Sequence, residues 1–299
     1  MKDRLRILVA YDGSECANGM LADLKRAGLP RKAEVHVLSV YAEWLPVPDS
    51  LGMLQTAFNK AVSAEERETQ AIAKRARMIL LSAFPDWEVH AKACAGSPAR
   101  AILQYADELR PDLLVVGSHG RSAFGRLFLG SVSQKILHAA HGSVRIARGH
   151  AAEPSGPIRL IVGMDGSPGA EAAVKAVTRR HWPRGSEARL VNGSPILPRV
   201  ADEISVAQIT AWSATERARV EEFIKLATGK LKGANLVVST KVKDLDARQL
   251  LISEAEAWEA DCIFVGARGM GAVERFVLGS VSSSVAARAR CSVEVVREP

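Results

Sequence analysis

Apolar positions along the chain recur with two alternating periods. Residues 5–11 form a short apolar run that stops at Asp12-Gly13, and residues 34–41 alternate apolar with polar positions; both predict strands. Between them Ser14 is placed as the N-cap of a helix running to about residue 28. Over residues 55–83 helical spacing brings Ile72, Ala76, Ile79 and Leu80 to one face. Residues 87–94 predict a short third strand, and residues 98–109 a helix with Pro98 near its start. Residues 113–116 are an unbroken apolar run, the pattern of a strand buried on both faces. A helix from about Ser131 and a last strand over 143–148 complete the order β-α-β-α-β-α-β-α-β. Such alternation predicts an α/β fold, a parallel sheet with helices on both faces.

The pattern then repeats. Ile7-Leu-Val-Ala-Tyr-Asp-Gly-Ser14 matches Leu160-Ile-Val-Gly-Met-Asp-Gly-Ser167, and Asp112-Leu-Leu-Val-Val-Gly-Ser-His-Gly120 matches Asp261-Cys-Ile-Phe-Val-Gly-Ala-Arg-Gly269. Leu129-Gly-Ser-Val-Ser133 matches Leu278-Gly-Ser-Val-Ser282. Asp12 and Gly117 lie 105 positions apart, Asp165 and Gly266 101, so the second copy is about four residues shorter in its middle. A period near 150 residues means duplicated domains, not a solenoid of small repeats. The breaker-rich segment 149–157 reads as a linker between a first domain at 1–148 and a second at 158–299.

Composition narrows the partners. Residues 1–150 hold 20 Lys and Arg against 15 Asp and Glu, and residues 151–299 hold 20 against 18, an excess of +5 and +2. So modest and dispersed an excess favours anionic ligands and calls for no nucleic acid. The pairs Arg179-Arg180 and Lys74-Arg75 with Arg77 lack interleaved aromatics and read as solvated helix faces. Cys16, Cys94, Cys262 and Cys291 form no CxxC pair and fit a reduced, cytoplasmic protein. Only five apolar residues, Ile7 to Tyr11, follow the charged start, where a signal peptide needs about 7–15. No run approaches the roughly 18 apolar residues of a membrane span, so no membrane partner is expected.

The candidate chemistry lies after the fourth strand of each copy. Gly117 and Gly120 are followed, nine residues on, by Gly130-Ser131; Gly266, Gly269, Gly279 and Ser280 repeat the spacing. Glycines at the carboxyl ends of parallel strands let a phosphate approach the backbone, since no Cβ intervenes. A helix opening at Ser131 presents free N–H groups and a positive dipole end to an anion. Asp12 and Asp165, ending the first strand of each copy, face the same sheet edge. Each is placed to bond a ribose hydroxyl or to help hold Mg2+ with phosphate oxygens, and an Asp-Gly turn is the alternative role. Arg121, Arg126, Arg268 and Arg275 lie in or beside the two glycine loops. There is no G-x4-G-K-(S/T), no G-x-G-x-x-G after the first strand and no Gly-x-Ser-x-Gly elbow. His119, His138 and His141 cluster in sequence without further evident metal ligands.

With these segments the chain resembles the universal stress protein family in its tandem two-domain form, over nearly the whole of both halves. The resemblance implies two flavodoxin-like or Rossmann-like doubly wound domains, each with a five-stranded, mainly parallel sheet. It also implies ATP, with Mg, bound per domain, and a stress-related regulatory role without defined chemistry. Carried over by position, it places Asp12 near ribose and metal, Val40 on the adenine side, and Val116 and Gly117 beside ribose and adenine. Gly120, Gly130, Ser131 and Val132 then line the triphosphate. The matching second-half residues are Asp165, Val265, Gly266, Gly269, Gly279, Ser280 and Val281. In this family the last strands often join domains, so the halves are expected to pack as a pseudo-dimer and chains to associate further as a homodimer.

The second copy departs from the pattern. Gly193, between Asn192 and Ser194, stands where the first has Val40; Leu245-Asp246-Ala247 replaces Gly96-Ser-Pro98; and Glu274 replaces Gly125 in the loop. The first site is therefore expected to bind ATP more securely. The leading expectation is an ATP-binding regulator whose occupancy sets conformation or assembly. A weak ATPase or nucleotidyl enzyme of the same fold, and a nucleotide-free interaction scaffold, are the alternatives.

Overall fold

The computed structural model describes residues 4–42, 52–120, 129–149, 156–193, 206–269 and 278–298. The chain divides into two compact units, Met1–Ala151 and Ala152–Pro299. The first runs β1 (Leu5–Ala10), α1 (Glu15–Leu24), β2 (Ala33–Tyr41), α2 (Gly52–Ala83), β3 (Glu88–Ala95), α3 (Pro98–Leu109), β4 (Leu113–Gly117), α4 (Ser131–Ala139) and β5 (Ser143–Ala147). The second runs β6 (Arg159–Gly163), α5 (Pro168–Thr178), β7 (Glu187–Gly193), α6 (Val206–Gly233), β8 (Val237–Lys243), α7 (Ala247–Ala257), β9 (Cys262–Gly266), α8 (Ser280–Arg288) and β10 (Ser292–Val296).

Within the first unit the strands lie in the order β3-β2-β1-β4-β5, all parallel. The second unit repeats this as β8-β7-β6-β9-β10. This is the Rossmann-like order of the two that the family resemblance implied. The chain leaves β1 toward β2 and β3, then returns to β1's other side for β4. The crevice outside the carboxyl ends of β1 and β4, and of β6 and β9, is thus the topological switch point where open α/β sheets bind ligands.

Packing explains the element boundaries. In the first unit Ile7, Val9, Val35 and Val37 of the sheet are buried against Met20, Leu21 and Leu24 of α1 and Leu80 of α2. Each such aliphatic side chain contributes about 1.5–3 kcal/mol by leaving water. In the second, Leu160, Val162, Leu190 and Phe264 meet Val174 of α5 and Leu231 of α6. Helix α1 stops four residues short of the predicted end. Lys25, Arg26 and Ala27 donate to carbonyls three residues back, and Gly28 turns the chain at φ 63°.

Arg180 corrects a sequence reading. It lies beyond α5, not on a solvated helix face, and its Nη2 donates to Oε1 of the buried Glu294, with only a small part of the arginine left exposed. The matching strand position in the first unit holds the opposite charge: Arg145 on β5 donates to Asp23 of α1 at 2.7 and 3.1 Å, also buried. Arg77 is likewise not simply solvated, since its Nε donates to the Val89 carbonyl of β3.

Candidate functional site

The switch-point crevice of the first unit begins where β1 ends. Tyr11 N donates to the Leu38 carbonyl, and the Ser39 hydroxyl donates to the Tyr11 carbonyl at 2.6 Å, tying the ends of β1 and β2 together. Asp12 follows. Its Oδ1 accepts from Ser14 N at 3.0 Å, while Ser14 Oγ accepts from Ala17 N at 3.1 Å as the N-cap of α1. The turn role of Asp12 and its position in the crevice therefore coexist.

Across the crevice, β4 ends at Gly117 and the chain continues through Ser118 and His119 to Gly120. A Cβ built on Gly120 falls 3.1 Å from Asp12 Oδ2, so only a residue without a side chain leaves this space open. After residues 121–128, outside the described set, Gly130 N donates to the Ser118 carbonyl at 2.8 Å. The Ser133 hydroxyl, from inside α4, donates to the Gly117 carbonyl at 2.6 Å. These two bonds pin the start of α4 to the end of β4 on either side of the loop. Gly130 is the N-cap and has no side chain to occupy the first-turn N–H groups, which begin at the exposed Ser131 and half-buried Val132. Val116 is buried beneath the crevice and Val40 is half-buried at its β2 side.

The second unit assembles the same parts. Asp165 Oδ1 accepts from Ser167 N at 3.0 Å and from Ser167 Oγ at 2.5 Å. Gly269 stands against Asp165, its Cβ position 2.6 Å from Oδ2. Gly279 N donates to the Ala267 carbonyl at 2.8 Å, and Ser282 Oγ donates to the Gly266 carbonyl at 2.5 Å. Val265 is buried, Val281 half-buried and Ser280 exposed.

Two features escaped the sequence reading. The first is the buried pair Ser133 and Ser282. They stood within the repeated Leu-Gly-Ser-Val-Ser, but the repeat did not show that its last serine reaches back to the strand. The second is the closure at Gly193. A Cβ there meets the Leu245 carbonyl and Ala247 Cα at 2.7 Å, so the chain before α7 rests on the end of β7 where the first unit carries the Val40 side chain. Asn192 is the counterpart of Ser39: it is buried and its Nδ2 donates to the Met164 carbonyl at 2.6 Å.

The units also differ beside the strand-end glycine. Cys16 Sγ lies 3.3 Å from the Gly117 Cβ position and 3.6 Å from Ser118 Oγ, and Ser118 Oγ lies 3.0 Å from His119 Nδ1. In the second unit the corresponding residues are Gly169, Ala267 and Arg268, and a Gly169 Cβ position clashes with the Arg268 carbonyl. Arg297, following β10, is pushed down to about 10 by burial and by the nearby Arg268 guanidinium. Arg121, Gly125, Arg126, Glu274 and Arg275 lie outside the described residues. Among the described residues no group of three His, Cys, Asp or Glu side chains is placed to hold a metal ion. His138 and His141 are exposed on and after α4. Among those residues no helix is long and apolar enough to cross a membrane.

A family model described as the universal stress protein family matches residues 4–148 and again 158–297. A universal stress protein of Thermus aquaticus is 38% identical over 142 residues, 48% of this chain and 97% of that protein. One of Mycobacterium tuberculosis is 28% identical over 306 aligned positions, covering 98% of this chain and 97% of its own. Among solved structures, a universal stress protein from Archaeoglobus fulgidus superposes with a TM-score of 0.60 at 22% identity, covering 98% of this chain and 96% of that one, a likeness of fold.

Proposed function

Because this chain belongs to the universal stress protein family, with both of its units matching the family, we propose that its first unit binds ATP and that occupancy of this site regulates the protein's conformation in a stress response. The observation that carries the reading is the apposition of Asp12 and Gly120, with the α4 N-terminus held beside them by Gly130 N and Ser133 Oγ. This provides a carboxylate for ribose or metal and bare backbone for phosphates within one crevice. Val40 supplies an apolar side chain on the base side. Mg2+ keeps several waters and takes one or two carboxylates plus substrate phosphates. The Asp12 carboxylate suits a cation that arrives with the nucleotide, and the ion would neutralise phosphate charge there.

A ligand that prefers the folded protein stabilises it by about 2.7 kcal/mol at a hundredfold excess over Kd. For domains of this size the melting temperature then rises by about 5–10 °C. The expected result is a rise of that order with ATP and Mg2+ in the parent chain, and its loss in Gly120→Val, whose side chain fills the space over Asp12. A parent chain that melts at one temperature with and without ATP overturns the proposal and favours a nucleotide-free scaffold.

A further inference from the structure

We propose that the cradle of the second unit takes an oxyanion without a nucleoside, of the inorganic phosphate or pyrophosphate class, while the first takes the nucleotide. This rests on the reading of the cradle as a phosphate site and assigns the two copies different ligands.

The phosphate side of the second site is retained. Gly266, Gly269 and Gly279 keep their places, Ser282 Oγ holds the Gly266 carbonyl, and α8 opens behind a glycine N-cap. The base side is not retained. Where Val40 presents a side chain, Gly193 is in contact with the peptide groups of 245–247. That segment is held in place. Asp246 caps α7 by accepting from Arg248 N at 2.9 Å and Gln249 N at 3.3 Å, and Leu250 and Leu251 behind it are buried. Opening a slot for a base there would require moving α7 off its sheet.

Two positions around the cradle also change to arginine. Over the strand-end turn of the first unit lies Ile72, its Cγ2 3.1 Å from the Gly13 Cβ position. The same place over Gly166 holds Arg219, whose Nη2 donates to the Gly166 carbonyl at 3.2 Å. His119 of the first loop is replaced by Arg268, whose Cα packs 3.6 Å from the Gly279 Cβ position. Arg297 is shared, since Arg148 stands at its place in the first unit, but only in the second does it face an arginine: it lies near enough to Arg268 for their charges to oppose one another, and the Ala267 N to Val296 carbonyl bond joins the two segments. Arg219 at the strand-end turn and Arg268 in the glycine segment thus bracket the cradle with cationic residues, which suits a small polyanion that accepts charge-assisted hydrogen bonds and relieves the opposition of Arg268 and Arg297.

The test is calorimetry on the full chain carrying Gly120→Val, so that only the second cradle is open, with inorganic pyrophosphate and ATP as probes. One pyrophosphate per chain is expected, bound at least about tenfold more tightly than ATP. Arg268→Gln should weaken it by about tenfold or more, as expected for a lost charge-assisted bond. Arg219→Gln, at an exposed position whose loss leaves the fold intact, should weaken it in the same direction. ATP binding equal to or tighter than pyrophosphate in Gly120→Val overturns the proposal. So does the absence of pyrophosphate binding, or binding unchanged in both arginine variants. Pyrophosphate binding as predicted, in a chain whose parent form takes no ATP, overturns the nucleotide assignment of the first unit alone.

Discussion

A methyl group added at Gly266 falls 2.4 Å from the Gly169 carbonyl carbon, whereas one added at Gly117 falls 3.3 Å from the Cys16 sulfur and the His119 carbonyl. The motif makes these two glycines identical, yet different constraints hold them. Gly266 is wedged against the backbone of α5, which cannot yield locally; Gly117 faces the Cys16 side chain, which can rotate, and the His119 carbonyl at a looser 3.3 Å. Gly266→Ala should therefore destabilise its unit by about 1–3 kcal/mol or more through overpacking, and Gly117→Ala by clearly less. Denaturant midpoints for the two variants would show it, and equal midpoints would contradict it. Matched alanine substitutions in the two loops consequently do not compare ligand binding alone. The glycine pattern was legible because bare backbone at a strand end has a spacing signature. The clearances were not, because they depend on which residue of the neighbouring helix lies opposite, Cys16 in one copy and Gly169 in the other.

At the scale of elements, most strands and helices followed from periodicity, and their ends were set by side chains that periodicity does not weigh. Helices α3 and α7 occupy the same place in the two units and begin differently. Pro98 opens α3 with no side-chain cap bond from Ser97, while Asp246 caps α7 and also pairs with Arg248 at 2.6 Å. That pairing and the cap bonds hold the Asp246 carboxyl at about 2, below its ordinary 3.8. A folded-state value depressed in this way contributes stability that is present above about pH 4 and is lost as pH falls through about 2. Asp246→Ala should cost roughly 1 kcal/mol at neutral pH, as for other N-caps, and the difference from the parent should shrink toward pH 2. A difference that stays constant across that range would contradict the cap account. The buried pair Asp23 with Arg145 and the largely buried pair Arg180 with Glu294 were illegible for a related reason. A charge in a five-residue strand reads as an exposed position, and its partner comes from a helix or turn more than a hundred residues away.

For the whole molecule, the duplication was the most legible feature, since Asp-Gly-Ser and the glycine spacing recur in register and both units fold with the same strand order. What repetition concealed is divergence by packing. The second unit keeps every glycine of the cradle, while at Gly193, the counterpart of Val40, the chain at 245–247 lies against the end of β7. The central claim is that the first unit alone carries the nucleotide, and counting ATP bound per chain by equilibrium dialysis tests it most directly. The account predicts one ATP per parent chain, none for Gly120→Val, and still one for Gly269→Val. Two per parent chain, or loss of the bound ATP in Gly269→Val with retention in Gly120→Val, would contradict it.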